Sequence, residues 1–472
     1  MKSSVDKRSA AAERQVALAA VGRALMGGTK AMREAGKTYL PQFEAESETA
    51  YQARLKSSWL FNGYRKTVMD NTGRVFDKPV EIKKGPNELS DWAENIDLAG
   101  RDLSTFARDV FESAMAGSGI AYVMVDAPRR EGPVTRAQAE AENLRPYMSL
   151  LTCEDILGWK TAQVGNATVL SQLRIMESVS EGKEGDEFAE ESIPQIRVLD
   201  RLDNGVRTRL YRKDKNEWKQ VSEDEGGDFI NADIQEITVA PLYLNRCGFF
   251  KGEPLLDDLA DVNVAHWQSQ SDQRNILHYA RTPILFGAGF SDDADVVIAS
   301  SSMVKSDDPT AKLEWVEHSG QAIGAGRQDL KDLEFQMEAL GLQLLVQKTG
   351  QQSATGEALD AKKETSTLSM SADALKDCLE QAFSFMAMYG GLDGDIEVDV
   401  NKEFGVSMMT PQEFAGILAA VANGTLGRET ALLEMSRRGM IAPDIDPEEE
   451  AERIAAQPPE LTGNPLDLGV DD

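Results

Sequence analysis

His266, His278 and His318 are the only histidines in the 472-residue chain, so any chemistry that needs an imidazole base rests on one of them. None sits in an HExxH pair or a serine-triad setting, and lone histidines in helical stretches are expected to be structural or solvent-facing. Gly27-Gly28-Thr29-Lys30 and Gly324-Ala325-Gly326 lack the length and flanking strand with which a phosphate-cradling loop is built. Asp393, Asp395, Glu397 and Asp399 alternate and superficially resemble a calcium loop, but the turn of that loop needs glycine at its sixth position, where this chain has Val398. The reading there is a strand with Ile396, Val398 and Val400 buried and its acids in water. Ser353, with Lys362 and Lys363 further on, has neither the spacing nor the rigid support of an activated nucleophile. No catalytic set, metal site or cofactor is expected, and the chain reads as an architectural protein rather than an enzyme.

The charge balance points the same way. Fifty basic and 79 acidic residues leave a formal charge of −29, which argues against broad electrostatic adhesion to nucleic acid or anionic membrane. It does not argue against DNA inside a channel, where an acidic wall would repel a duplex and let it slide. Cys153, Cys247 and Cys378 are odd in number and far apart, so neither a disulfide framework nor a zinc pattern is expected, and a reducing cytoplasm is the natural setting. No run approaches the roughly 18 apolar residues of a membrane span. The first residues, with Asp6 and Glu13 among their basic ones, do not read as a signal peptide.

The element around which the rest is organised is a helix, a β-rich excursion and a second helix over residues 253–348. Glu253 and Pro254 are expected to open the first helix, with Asp257 and Asp258 facing the positive end of its dipole. Arg281 and Pro283 are expected to close it, for a length of roughly 40 Å. Its apolar residues crowd both ends, whereas 268–275 is polar all round, so its centre must lie against water or other polar helices. In the second helix Leu330, Leu333, Met337, Leu340 and Leu344 make a heptad seam.

Elsewhere, residues 1–37 are net basic and predict a partly ordered surface helix near 15–26. A helix capped by Ser47 is expected to run toward Asn71 with Tyr51, Leu55, Trp59 and Leu60 buried, followed by a strand over 74–82. Another helix spans about 98–115, with Leu103, Phe106, Val110 and Ala114 inward. Gly117-Ser118-Gly119 stops it before a buried strand at 120–125. From 147 to 244 the period is two, with a hairpin turn at Asn204-Gly205 and acidic loops at 180–192 and 222–228. After the glycine-bounded loop 349–356, a helix lasts to Tyr389 with Leu368, Ala372, Leu375, Leu379, Ala382 and Met386 as its seam. A strand at 395–400, helices at 411–422, 428–437 and 447–456, and an acidic tail complete the chain.

The ordered series Tyr39-Leu40-Pro41, Gly117-Ser118-Gly119 plus strand, Gly252-Glu253-Pro254-Leu255-Leu256 opening a long helix, Arg281-Thr282-Pro283-Ile284-Leu285-Phe286-Gly287, and Gln352-Ser353-Ala354-Thr355-Gly356 before a long helix resembles the tailed-bacteriophage portal proteins, of the head–tail preconnector group. The similarity covers about residues 39–389. It implies a mainly helical α+β portal fold with wing, stem, clip and crown regions, each chain one subunit of a dodecameric ring around a DNA channel at a capsid vertex. By position, 1–253 would be the N-terminal wing with its β-rich part, 254–281 and 321–347 the two stem helices, and 282–320 the clip. Residues 348–357 would be the tunnel loop, 358–410 the long wing helix and strand, and 411–472 the crown and acidic tail. The implied partners are double-stranded DNA in the channel, the terminase large subunit, a head–tail adaptor and the major capsid protein, with no membrane. The implied location is the virion, after assembly in the host bacterial cytoplasm. Lys348, Gln351, Gln352 and Thr355 are the expected tunnel-loop contacts with DNA, and Arg327 and Lys331 the stem contacts. Another virion structural protein, an adaptor or minor capsid component, would share the acidity, and a metal-dependent enzyme using acidic clusters is the third reading. Twelve copies would bring about −350 charges, so a ring is expected to weaken as ionic strength falls.

Overall fold

A computed structural model describes residues 4–128, 142–182, 188–214, 217–280, 284–288, 309–316, 321–341, 354–402, 404, 411–437 and 453. The fold is mixed α+β, in two units, Met1–Lys402 and Glu403–Asp472.

Helix α1 (Ala10–Met26) starts at Ser9, whose hydroxyl accepts from the Ala12 N–H at 3.2 Å. Its buried residues are Ala12, Gln15, Ala19, Gly22 and Leu25, a stripe of mostly small side chains rather than the surface helix expected. The Gln15 amide exchanges two 3.0 Å hydrogen bonds with the backbone of Gly252, so α1 is sewn into the body. Helix α2 (Gly28–Ala35) and a short 3-10 turn (Gly36–Thr38) lead to α3 (Glu48–Ser57), capped by Ser47 as expected.

The single helix expected toward Asn71 is in fact two. Ser58 turns its hydroxyl back onto the Arg54 carbonyl at 2.8 Å, and Asn62 caps a new helix, α4 (Gly63–Val75), by accepting from the Arg65 N–H. Tyr51, Leu55 and Leu60 are buried, but Trp59 falls in the break and is 42% exposed. Because α4 runs on to Val75, the expected strand shrinks to β1 (Glu81–Lys84). A short α5 (Asn87–Ala93), not anticipated, follows. Helix α6 (Leu103–Ala116), capped by Asp102, buries Leu103, Phe106, Val110 and Ala114 as its spacing predicts.

Strand β2 (Ile120–Asp126) is central in an antiparallel sheet between β3 (Tyr147–Leu151) and the later β10 (Val239–Tyr243). A larger antiparallel meander runs β4 (Ile156–Val164), β5 (Ala167–Gly182), β6 (Glu190–Leu202), β7 (Gly205–Asp214) and β8 (Glu217–Gln220), with β9 (Asp228–Asn231) also on β7. Leu202 pairs with Gly205, so the hairpin turn is Asp203-Asn204, one residue earlier than read, with Gly205 at φ +132°. The acidic run 180–192 is also less loop than expected. β5 and β6 stay paired to Gly182 and Glu190, because ladder bonds and cross-strand pairs such as Ser178–Ser192 at 2.5 Å do not need an apolar face. One hydrophobic core cluster joins the two sheets, with Ile120, Tyr122, Leu173, Ile175, Val239 and Phe250. The Tyr122 and Phe250 rings stand 4.5 Å apart.

Two short strands, β11 (Arg246–Gly248) and β12 (Lys251–Gly252), lead into α7 (Asp257–Ala280). Glu253 and Pro254 do not open this helix. The Glu253 N–H is held by the Asn245 carbonyl, and the first helical bond is from the Ala260 N–H to the Leu256 carbonyl. Strands β13 (Ile284–Ala288) and β14 (Lys312–Val316) then pair antiparallel inside the expected β-rich excursion, before α8 (Gln321–Leu340). Along its predicted seam Leu330 and Leu333 are half-buried, Met337 is buried and Leu340 is exposed; Leu344 lies outside the described residues.

Helix α9 (Ala354–Gly390) begins inside what was read as loop, placing Thr355 in its first turn. Its seam from Leu368 to Met386 is buried, and Tyr389 is half-buried. The Cys378 thiol on this helix reaches the Ala240 carbonyl on β10. Strand β15 (Glu397–Asp399) pairs with β1, with Val398 and Val400 buried and Ile396 half-buried. The second unit contains α10 (Pro411–Ala422) and α11 (Arg428–Arg437), as read; of the helix expected at 447–456 only Arg453 is described.

Candidate functional site

The polar middle of α7 is the feature from which a site must be built. It does lie against other polar elements, as its composition requires, but it finds them within its own chain. Asn263 donates to the Phe61 carbonyl and accepts from the Tyr64 N–H, at 2.8 and 2.9 Å, fixing α7 to the start of α4. Gln268 donates to the Tyr39 carbonyl at 3.0 Å. Toward α8, Ser269 donates to the Asp329 carboxylate at 2.5 Å and Gln273 to the Ile323 carbonyl at 2.9 Å. At Gly326 a Cβ would run into the Gln273 side chain, so the glycine leaves room for that contact. The two helices are thus antiparallel neighbours joined by polar contacts at about one per turn.

Toward α3 the contact is ionic. Arg54, 2% exposed, is held by both oxygens of Glu46 at 2.8 Å, by the Pro41 carbonyl at 2.7 Å and by Ser271 on α7 at 3.4 Å. Asp272 stands 3.6 Å away. The hydrogen bonds from Arg54 hold the Glu46 carboxyl below its ordinary range, whereas burial pushes Asp272 above its own, against the pull of Arg54. Ser58 on the far side of Arg54 also bonds Ser271, at 2.9 Å.

This seam is incompletely satisfied. Both ring nitrogens of His266, the Trp267 indole nitrogen and the side-chain oxygens of Gln270 and Gln273 are buried without a hydrogen-bond partner among the described residues. The nearest charge to His266 is the Glu334 carboxylate on α8, 3.5 Å from Nε2. Burial lowers the imidazole pKa, and Glu334 only partly offsets it. Buried orphaned polar groups cost free energy, so these atoms offset part of what the α7–α8 hydrogen bonds contribute.

Of the residues expected to meet DNA, Lys348, Gln351 and Gln352 lie outside the described residues, and Thr355 is placed on α9 instead of a loop. Arg327 and Lys331 lie on α8, one turn apart, exposed and with no ion pair among the described residues. No group of three or more metal-capable side chains occurs among the described residues, and none of their helices is long and apolar enough to cross a membrane. The pattern reading missed three features. Arg54 was not singled out, His266 was one of three undistinguished histidines, and Phe335, 68% exposed, sits off the heptad seam. That off-seam position was the one legible signal.

A family described as "Domain of unknown function (DUF4055)" matches residues 254–390, the stretch that holds α7, β13, β14, α8 and α9. No curated protein matches the chain. Among solved structures the chain is similar to one from the neck of a native gene transfer agent particle computed with C12 symmetry, at 10% identity and a TM-score of 0.38, covering 79% of this chain and 89% of that one. A chain from the neck of the empty particle, computed with C6 symmetry, gives 8% and 0.39 with the same coverage. One from the virion of the native particle gives 10% and 0.37, covering 90% of this chain and 99% of that one.

Proposed function

We propose that the chain is the subunit of a phage portal, a twelvefold ring at one capsid vertex through which double-stranded DNA is packaged and later ejected. The observation that carries the reading is the α7–β13/β14–α8 unit. A long helix, a two-stranded antiparallel sheet and an antiparallel second helix, the two helices linked by polar contacts, fit the resemblance that the ordered motifs around them bear to portal proteins. In that role α7 and α8 are the stem and β13–β14 belongs to the clip, which docks the terminase large subunit during packaging and a head–tail adaptor afterwards. Helix α9 anchors the stem to the wing by burying its C-terminal seam against β2 and β10.

The portal hydrolyses nothing on this reading. It positions the motor and the duplex, and its acidity keeps DNA from adhering to the wall. In the tunnel loop, 348–357, Lys348, Gln351, Gln352 and Thr355 carry the contact with phosphates. Replacing Lys348 and Gln351 together by alanine is expected to leave rings intact and impair DNA packaging or retention. Unchanged packaging in rings of normal form would remove both residues from the contact.

A further inference from the structure

Asn-Gly occurs three times in the chain, at 62–63, 204–205 and 423–424. The pair is chemically labile, because glycine has no side chain to shield its backbone nitrogen from the asparagine amide beside it. That nitrogen can attack the amide carbon and close a five-membered ring. Closure needs an amide free to rotate and a glycine free to follow it, and the fold treats the three sites differently on both counts.

Asn62 is held at both ends of its amide. Its oxygen accepts from the Arg65 N–H at 2.9 Å as the cap of α4, and its nitrogen donates to the Leu25 carbonyl at 2.7 Å. Gly63 opens α4 against Met337, whose sulfur would stand 3.1 Å from a Cβ there. At 204–205 the asparagine is exposed but the glycine is buried. Gly205 pairs with Leu202 across the turn and is pressed on the backbone of Asn231 and Ala232, where a Cβ would collide. At 423–424 both residues are exposed. Asn423 follows the last residue of α10, and its side chain makes no hydrogen bond among the described residues. Gly424 sits at φ +71° with nothing within 4 Å of the place a Cβ would take. Its N–H meets the Val421 carbonyl at 3.1 Å, in the terminal turn of a helix, where fraying is easiest.

We propose that Asn423 is a self-modifying position, converted through a succinimide to aspartate or isoaspartate in the folded chain. The Gly424 nitrogen bonds to Cγ of Asn423, the Cγ–Nδ2 bond breaks, and the amide nitrogen leaves as ammonia with the proton from Gly424. Water then opens the ring at either carbonyl. One opening gives aspartate; the other gives isoaspartate, whose backbone runs through the former side chain. Either product puts a carboxylate at the negative end of the α10 dipole. Isoaspartate also adds a methylene to the main chain inside the turn, where the Ala420 carbonyl accepts from the Thr425 and Leu426 N–H groups at 2.9 and 3.1 Å. The conversion therefore loosens the cap that ends α10 before α11 begins.

The test incubates the full chain at mildly alkaline pH, folded and in concentrated urea, and follows the Asn-Gly peptides by mass spectrometry. In the folded chain 423–424 is expected to convert roughly tenfold or more faster than 62–63, where a cap must open before attack. In urea the sites are expected to converge to within about threefold, since the unfolded chain removes most of what distinguishes them. Asn423→Gln is expected to abolish conversion at that position and leave the others unchanged, because its longer side chain closes a larger ring far more slowly. Loss of hydrogen-exchange protection at the Thr425 and Leu426 amides is expected to accompany conversion, and unchanged protection would overturn its effect on the cap. A folded chain in which 62–63 or 204–205 converts as fast as 423–424 overturns the proposal. So does one in which 423–424 stays intact while the urea sample converts.

Discussion

Glu334 on α8 holds its carboxylate 3.5 Å from Nε2 of His266 on α7, an imidazole side chain only 1% exposed. Burial keeps this histidine below its ordinary pKa, so it is neutral in the folded chain where the unfolded chain has begun to bind a proton. Proton binding by the unfolded chain therefore costs no stability above about pH 6.5, and costs progressively more as pH falls from there toward the lower folded value.

The melting temperature is therefore expected to fall between pH 7 and pH 5, and His266→Leu is expected to remove part of that fall. At pH 7 the same variant is expected to be neutral or slightly stabilising, by up to about 1 kcal/mol, since it removes orphaned buried nitrogens. Glu334→Gln is expected to steepen the acid loss by taking away the charge that holds the imidazole pKa up. Melting curves that run parallel for all three proteins would contradict this.

Arg54 makes a second prediction. Arg54→Ala leaves Glu46 buried and unpaired, and is expected to destabilise the chain by about 3–5 kcal/mol in urea unfolding. The double variant Arg54→Met, Glu46→Leu is expected to recover most of the loss, because two apolar side chains leave no buried charge behind. The folded Glu46 pKa is depressed, so its contribution is present above about pH 4.5 and lost as pH falls below it. A double variant as weak as Arg54→Ala would show that the lost packing on the Phe43 ring, 4.3 Å from the guanidinium, matters more than the charge.

Gly119 adopts φ +74°, and a Cβ there would collide with the Glu253 carbonyl. Gly119→Ala is expected to cost about 3 kcal/mol, combining left-handed strain with displacement of the segment that leads into α7. The measurement is the midpoint of denaturant unfolding, and a loss under about 0.5 kcal/mol would contradict the close approach.

How far the chain could be read before folding depended on whether burial was apolar. Helix α6, strand β2 and the α9 seam were legible because Phe106, Val123 and Leu375 bury large apolar side chains at regular spacing. Helix α1 was misjudged because its buried stripe is alanine, glycine and Gln15, which pattern reading takes for surface. The break after α3 was hidden because Ser58 and Asn62 end and restart helices through side-chain bonds that also suit a continuous polar helix. In the candidate site the polar centre of α7 was visible. Its partners Tyr39, Arg54 and Asp329 were not, because nothing in one segment says which distant polar group will satisfy it.

The central claim is that like copies close into a ring around a channel, and end-on electron micrographs of the purified full chain test it most directly. The account predicts annular particles with a central hole and twelvefold averages. Single chains or small compact oligomers without a hole, at concentrations where α7 and α8 are folded, would contradict it.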